Sequence, residues 1–258
     1  MRNTHFLKFL IIAAAFLSSL LLVDSAFAQN VSIDLGSDGD GTVTGRVIQL
    51  VVLLTVLSLA PSILIMMTSF TRIIVVLSFL RTAIGIQQTP PNTVMISLAL
   101  FLTFFIMSPT LESAYKAGVI PLMNEEITEI EAFERTSAPF KTFMLKHVRP
   151  ADLELFIDLS ESGPFDSAQD VPLQIVIPSF MISELRRAFE IGFMLFLPFL
   201  IIDLVTASIL MSMGMMMLPP VTVSLPFKII FFVLVDGWYL IAGSLIQSFD
   251  SGPIVPGG

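Results

Sequence analysis

The sequence predicts an all-α chain: two long apolar helical hairpins joined by a helical insert, associated with a membrane. Three observations carry this. Mean hydropathy is +0.89 and 55% of the residues are hydrophobic, too apolar for an ordinary soluble domain. The apolar stretches are long enough for membrane helices and are separated by Pro-Pro turns. Between the hairpins lies an acidic segment whose Phe, Leu and Ile recur at helical spacing.

Composition excludes several classes. A net charge of −8 argues against a nucleic-acid partner, which calls for a clustered basic surface. There is no cysteine, so disulfides and thiol chemistry are out. Of two histidines, His5 lies in a leader, and His147 alone makes no metal centre. No P-loop, Ser–His–acid arrangement or paired-carboxylate site is present, so neither catalysis nor a cofactor is expected.

Residues 1–28 read as a signal peptide. Arg2 and Lys8 supply the basic start, Phe9 to Val23 the apolar run, and Ala26-Phe27-Ala28 the small-residue cleavage site. The alternative is an uncleaved membrane helix, but a run of about 15 residues falls short of the roughly 20 a span needs. Residues 29–46 form a flexible Asp/Gly-rich lead-in that lacks the Glu an EF-hand loop requires.

Residues 47–111 make the first hairpin. Val47 to Ile84 reads as one long helix with a kink at Pro61, and Met95 to Met107 reads as its return. The tip carries Gly85, Gln87, Gln88, Pro90 and Pro91. The residue before a proline is pushed out of the helical region, so the break falls at Thr89-Pro90. Residues 112–184 form the acidic insert, in which Phe133, Phe140, Phe143, Leu153, Phe156 and Ile157 recur at roughly helical spacing and predict short amphipathic helices. Arg72 and Arg81 approach the first tip and Lys228 follows the second. Basic residues near span ends mark cytoplasmic sides, which puts both tips in the cytoplasm and the insert in the periplasm.

Residues 185–248 make the second hairpin, after a proline-broken approach through Pro178, and 249–258 a disordered tail. The tip repeats the first. Gly85-x-x-x-x-Pro90-Pro91-x-Thr93-Val94 matches Gly214-x-x-x-x-Pro219-Pro220-x-Thr222-Val223, an internal repeat or a coincidence of common turns. Met211, Met213, Met215, Met216 and Met217 surround Gly214. Methionine fills irregular cores, but at a tip, in a ring of identical subunits, these side chains would form a soft apolar constriction that closes by dewetting. Asp203 and Asp236 lie inside apolar helices. They are either a proton relay or helix–helix hydrogen-bonding groups. Glu184 sits at the shoulder of the long helix, where burial demands a partner. Lys228 and Arg149 are the isolated bases expected to meet it, across a subunit boundary.

Two segments carry a resemblance: PSFMISELRRAFEIGF (Pro178 to Phe193) and PFLIIDLVTASILMSMGM (Pro198 to Met215), followed by LPFKIIFFVLVDGWYLIAGSL. They resemble the signature segments of the FliP family, flagellar biosynthesis proteins that form the export gate of type III secretion. The resemblance implies a pentamer in the bacterial inner membrane at the flagellar basal body, projecting toward the periplasm. It implies FliQ-like, FliR-like, FlhB-like and FlhA-like partners, and unfolded export substrates. It also implies that the apolar hairpins pack against partner subunits rather than standing in lipid. A proton- or ion-conducting channel subunit and a passive assembly scaffold are the competing readings.

Overall fold

The computed structural model describes residues 43–86, 89–160, 163, 165–215 and 218–250. The expected signal peptide, most of the lead-in, the segment from 251 onward, and Gln87, Gln88, Met216 and Met217 lie outside the described residues. Packing divides the chain into units 1–55 and 56–258. The described part of the first is the opening of one helix, Val43–Met66, and the packing described below lies within the second. All regular elements among the described residues are helical, as the apolar periodicity predicts.

Helix α1 spans Val43–Met66 with Pro61 inside it, and α2 spans Phe70–Ile84. The single kinked helix expected over 47–84 is therefore two, and the break is at Met67–Ser69 rather than at the proline. Thr68 explains it. Its Oγ1 donates to the Ile65 carbonyl at 2.8 Å and accepts from the Phe70 N–H at 3.3 Å, which satisfies an orphan group of each helix end. α3 (Asn92–Ala114) runs on through a π turn (Tyr115–Val119) into α4 (Ile120–Met123). The expected boundary at 111/112 thus falls within continuous helix. Pro121 offers no N–H to the Ala117 carbonyl, and its ring crowds that oxygen, so the helix widens there.

The insert proper holds α5 (Glu129–His147) and α6 (Pro150–Leu159). α5 is capped by Thr128, whose hydroxyl accepts from the Glu131 N–H. Acids lie in its first turn and Lys146 and His147 in its last, the order the helix dipole favours. Phe140 and Met144 face inward, whereas Phe133, at the same helical spacing in the sequence, stands exposed.

α7 spans Leu173–Ser212, forty residues without a break. Pro178 and Pro198 both lie inside it, so the expected broken approach is a helix, and the boundary at 184/185 falls mid-helix. α8 (Pro220–Leu234) and α9 (Gly237–Asp250) make the return, bent by 62° at Val235–Asp236. α9 reaches Asp250 and so takes in the first two residues of the expected tail, 249 and 250. Phe249 is buried there, which holds that end of the helix in place.

Two cores follow from this order. One gathers α2, α3, α7, α8 and α9 around Ile73, Val76, Leu80, Ala99, Ala188 and Leu245. The other seats the insert on α3 and α7 through Met107, Phe140, Met144, Val176 and Phe180. Among the described residues two helical runs, Asn92–Met123 and Leu173–Ser212, are long and apolar enough to cross a membrane, or up to four if each of two bent pairs is one span.

Candidate functional site

The two tips share the geometry of their glycines. Gly85 ends α2 at φ 91° and Gly214 follows α7 at φ 74°, left-handed values that cost glycine no Cβ clash. The Gly85 N–H donates to the Thr82 carbonyl at 3.1 Å, and the Gly214 N–H to the Met211 carbonyl at 3.0 Å. Pro91 is then the N-cap of α3 and Pro219 that of α8. The two glycines thus take matching local roles, but the helix starts are shifted by one: Pro91, which caps α3, is the counterpart of Pro220, whereas Pro219, which caps α8, is the counterpart of Pro90. A Cβ placed on Gly85 would lie 3.6 Å from Leu225 Cδ1, so the first tip sits against the start of α8.

The methionines fall into a buried and an exposed set, the exposed set including Met66, Met123 and Met194 away from the tips. Met95, Met107 and Met144 are buried core filler. Met211, Met213 and Met215, around the second tip, are 61, 65 and 37% exposed.

The two carboxylates expected inside apolar helices separate. Asp203 Oδ2 accepts from Lys228 Nζ at 2.6 Å, and its Oδ1 accepts from Ser224 Oγ at 2.5 Å. Lys228 Nζ also donates to the Ala83 carbonyl at 3.2 Å, which ties α8 to both α7 and α2. This is the helix–helix hydrogen-bonding arrangement. Asp236 lies exposed at the α8–α9 bend with φ 51°, outside that network, so the structure does not join the two carboxylates in one path.

Glu184 is fully buried, as its place on the shoulder predicts, but its partner is neither Lys228 nor Arg149. Arg72 holds it in a two-pronged pair, with Nε 2.7 Å from Oε2 and Nη2 2.5 Å from Oε1. The remaining Arg72 nitrogen, Nη1, donates to Ser248 Oγ at 2.9 Å and to the Ser248 carbonyl at 3.3 Å. The guanidinium carbon lies 3.7 Å above the Phe249 ring, a cation–π contact. Both carboxylate oxygens are thus satisfied inside one chain, and nothing is left to reach across a subunit boundary. Arg149 instead lies 3.7 Å from Asp152, and its N–H donates to Ser183 Oγ at 3.0 Å. Ser183 in turn donates to Asp152 Oδ2 at 2.6 Å, linking α6 to α7.

His147 completes the cluster. Its Nδ1 lies 2.8 Å from the Phe143 carbonyl and its Nε2 3.0 Å from the Phe249 carbonyl. Burial pushes the imidazole below its ordinary value, against the opposing pull of the two carbonyls and of Glu184.

Sequence reasoning missed Arg72 as the counter-ion, Ser224 as a ligand of Asp203, and Phe249 altogether. The first had a readable signal. Val176, Phe180, Glu184, Ala188 and Gly192 follow each other at four-residue steps, and so do Arg72, Val76 and Leu80; each charge therefore shares a face with core residues. Phe249 had none, because its value lies in a contact 177 positions away.

Among the described residues no cluster of His, Cys, Asp and Glu has the makings of a metal site. The comparisons agree with the helical signature. The sequence pattern that defines the FliP family matches residues 53–245. The chain is 60% identical over 239 residues to the flagellar biosynthetic protein FliP of Caulobacter vibrioides, covering 92% of this chain and 89% of that protein. It is 56% identical over 221 residues to that of Bacillus subtilis, covering 86% and 100%. It is 51% identical over 234 residues to that of Aquifex aeolicus, covering 90% and 97%. With the match running from α1 through α9, the chain belongs to the FliP family.

Proposed function

We propose that this chain is a pore-forming core subunit of the flagellar type III protein export gate, conducting unfolded proteins across the bacterial inner membrane. It acts as a homo-oligomer, a pentamer by family resemblance, with FliQ-like, FliR-like, FlhB-like and FlhA-like partners. The assembly projects toward the periplasm. Met211, Met213, Met215, Met216 and Met217 form the closure.

The observation that supports this is the clustering of three exposed methionines, Met211, Met213 and Met215, around one glycine-capped tip. Thioether chains at a tip are soft, polarizable and apolar. A ring of them sheds water when nothing occupies it and deforms around substrates of differing sequence. Chemical energy comes from other components. An ion channel using Asp203 is less well supported, because both Asp203 oxygens are held by Lys228 and Ser224.

The experiment replaces Met215, Met216 and Met217 together with Ala and measures ion leakage through membranes carrying the assembled complex. Leakage is expected to rise while export continues. Membranes as tight as wild type would place the seal elsewhere, and loss of flux in Asp203→Asn would favour the ion channel.

A further inference from the structure

We propose that the groove between α2, α3 and α9 binds an acyl chain of an anionic phospholipid, with the lipid phosphate held by Arg81. The wider end of the groove is a 250 Å³ cavity walled by Leu98 and Leu102 of α3 and by Ile241, Ala242 and Leu245 of α9. A narrow cleft continues it past Leu80, Ile84, Val94 and Met95 to Arg81. Leu77, Leu98 and Trp238 line both parts, so the two are one groove. From Val94 to Leu102 it follows eight residues of helix, roughly 12 Å at the α-helical rise.

Size selects the occupant. A helix of about 10 Å diameter and that length fills roughly 900 Å³, several times the cavity. The wide end has room for part of a single hydrocarbon chain, and the 20 Å³ cleft toward Arg81 opens to admit the remainder on binding. The wide end is lined by apolar side chains and Trp238 alone. Such cavities stay dry and accept apolar guests.

Charge selects the class of lipid. Arg81 Nη1 donates to Asn92 Oδ1 at 2.5 Å. Among the described residues no carboxylate pairs with it. A cation at the mouth of an apolar groove, on helices apolar enough for a membrane, needs a counter-charge. A guanidinium meets a phosphate with two parallel hydrogen bonds. Trp238, partly exposed at the rim, suits the headgroup boundary.

The chain contains one tryptophan, so Trp238 fluorescence reports on this groove directly. The test reconstitutes the full chain in vesicles carrying lipids brominated on their acyl chains, either phosphatidylglycerol or phosphatidylcholine, and compares quenching. Phosphatidylglycerol is expected to occupy the groove about fivefold better, the preference one basic residue supplies at a membrane surface. Arg81→Gln removes that preference, whereas Arg186→Gln, on an exposed residue of α7, keeps it. Ala242→Phe fills the wide end and lowers quenching by both lipids. Equal quenching by the two lipids in the wild-type chain overturns the proposal, as does a preference that survives Arg81→Gln. So does absence of quenching by either lipid, which would mean that protein covers the groove.

Discussion

The Arg72–Glu184 pair is the sharpest energetic feature at the scale of single residues. Removing two charges from water costs several kcal/mol per ion, and only good geometry with further hydrogen bonds offsets it. Here the carboxylate takes two donors and the guanidinium is closed in by Ser248 and Phe249. Removing one partner strands the other. Glu184→Gln or Arg72→Met should each lower stability by about 3–5 kcal/mol, and the double substitution Arg72→Met with Glu184→Leu by distinctly less. Thermal unfolding of the detergent-extracted protein reads all three. Additive losses would show that the two residues do not act as a pair. His147 makes the same neighbourhood sensitive to pH. Its folded pKa is lowered by burial, so the fold prefers the neutral ring. The stability it contributes is fully present above the unfolded value of about 6.5 and is lost as pH falls through the lower folded value. The melting temperature should therefore drop more between pH 7.5 and 5 in the wild-type chain than in His147→Gln. Equal drops would mean the ring does not titrate with unfolding. That Glu184 is buried was legible in its four-residue register with Phe180 and Ala188. Its partner was not, because pairing across 112 positions depends on which helix α7 lies against.

Close approach decides the arrangement among helices. α7 lies on α2 where Gly192 leaves room for Phe79: a Cβ there would stand 2.6 Å from Phe79 Cδ2. Phe79 is also fixed from the side by Phe189, with ring centroids 5.0 Å apart. Gly192→Ala gains about 1 kcal/mol of helix propensity and loses about 1–3 kcal/mol through overpacking. The net should be a lower melting temperature that Phe79→Leu in the same chain restores. If Gly192→Ala raises the melting temperature, the contact is looser than described. Gly118 does the same for α5, where a Cβ would lie 2.0 Å from Thr136 Oγ1. The hairpins and their tips could be read from apolar runs and Pro-Pro turns. The helix breaks could not. Pro61, Pro178 and Pro198 look like breakers yet lie inside helices. The actual breaks, at Thr68 and at Asp236, come from a hydroxyl that bonds both ways and from a left-handed residue.

The whole molecule exposes far more apolar surface than a soluble monomer carries. Phe101, Phe104 and Phe105 of α3 are 76, 71 and 66% exposed, and α7 shows Phe193, Met194 and Ile201 in the same way. Such faces are expected to meet lipid or other subunits. Orientation is testable without interference because the chain has no cysteine. Cysteine placed at Glu134, in the insert, should react with an impermeant maleimide in intact cells. Cysteine placed at Leu218, at the second tip, should react only after the inner membrane is opened. The reverse pattern would invert the topology. The contact between Arg72 and Ser248 has one more consequence, in time rather than in space. A ribosome adds about 5–20 residues per second, and 176 positions separate the two. On the order of 10–35 seconds therefore pass between the making of this cation and the making of the helix end that encloses it. Through that interval the first hairpin carries a charge whose enclosure has not yet been synthesised. The second hairpin's last helix is thus the step that commits the bundle to its final packing.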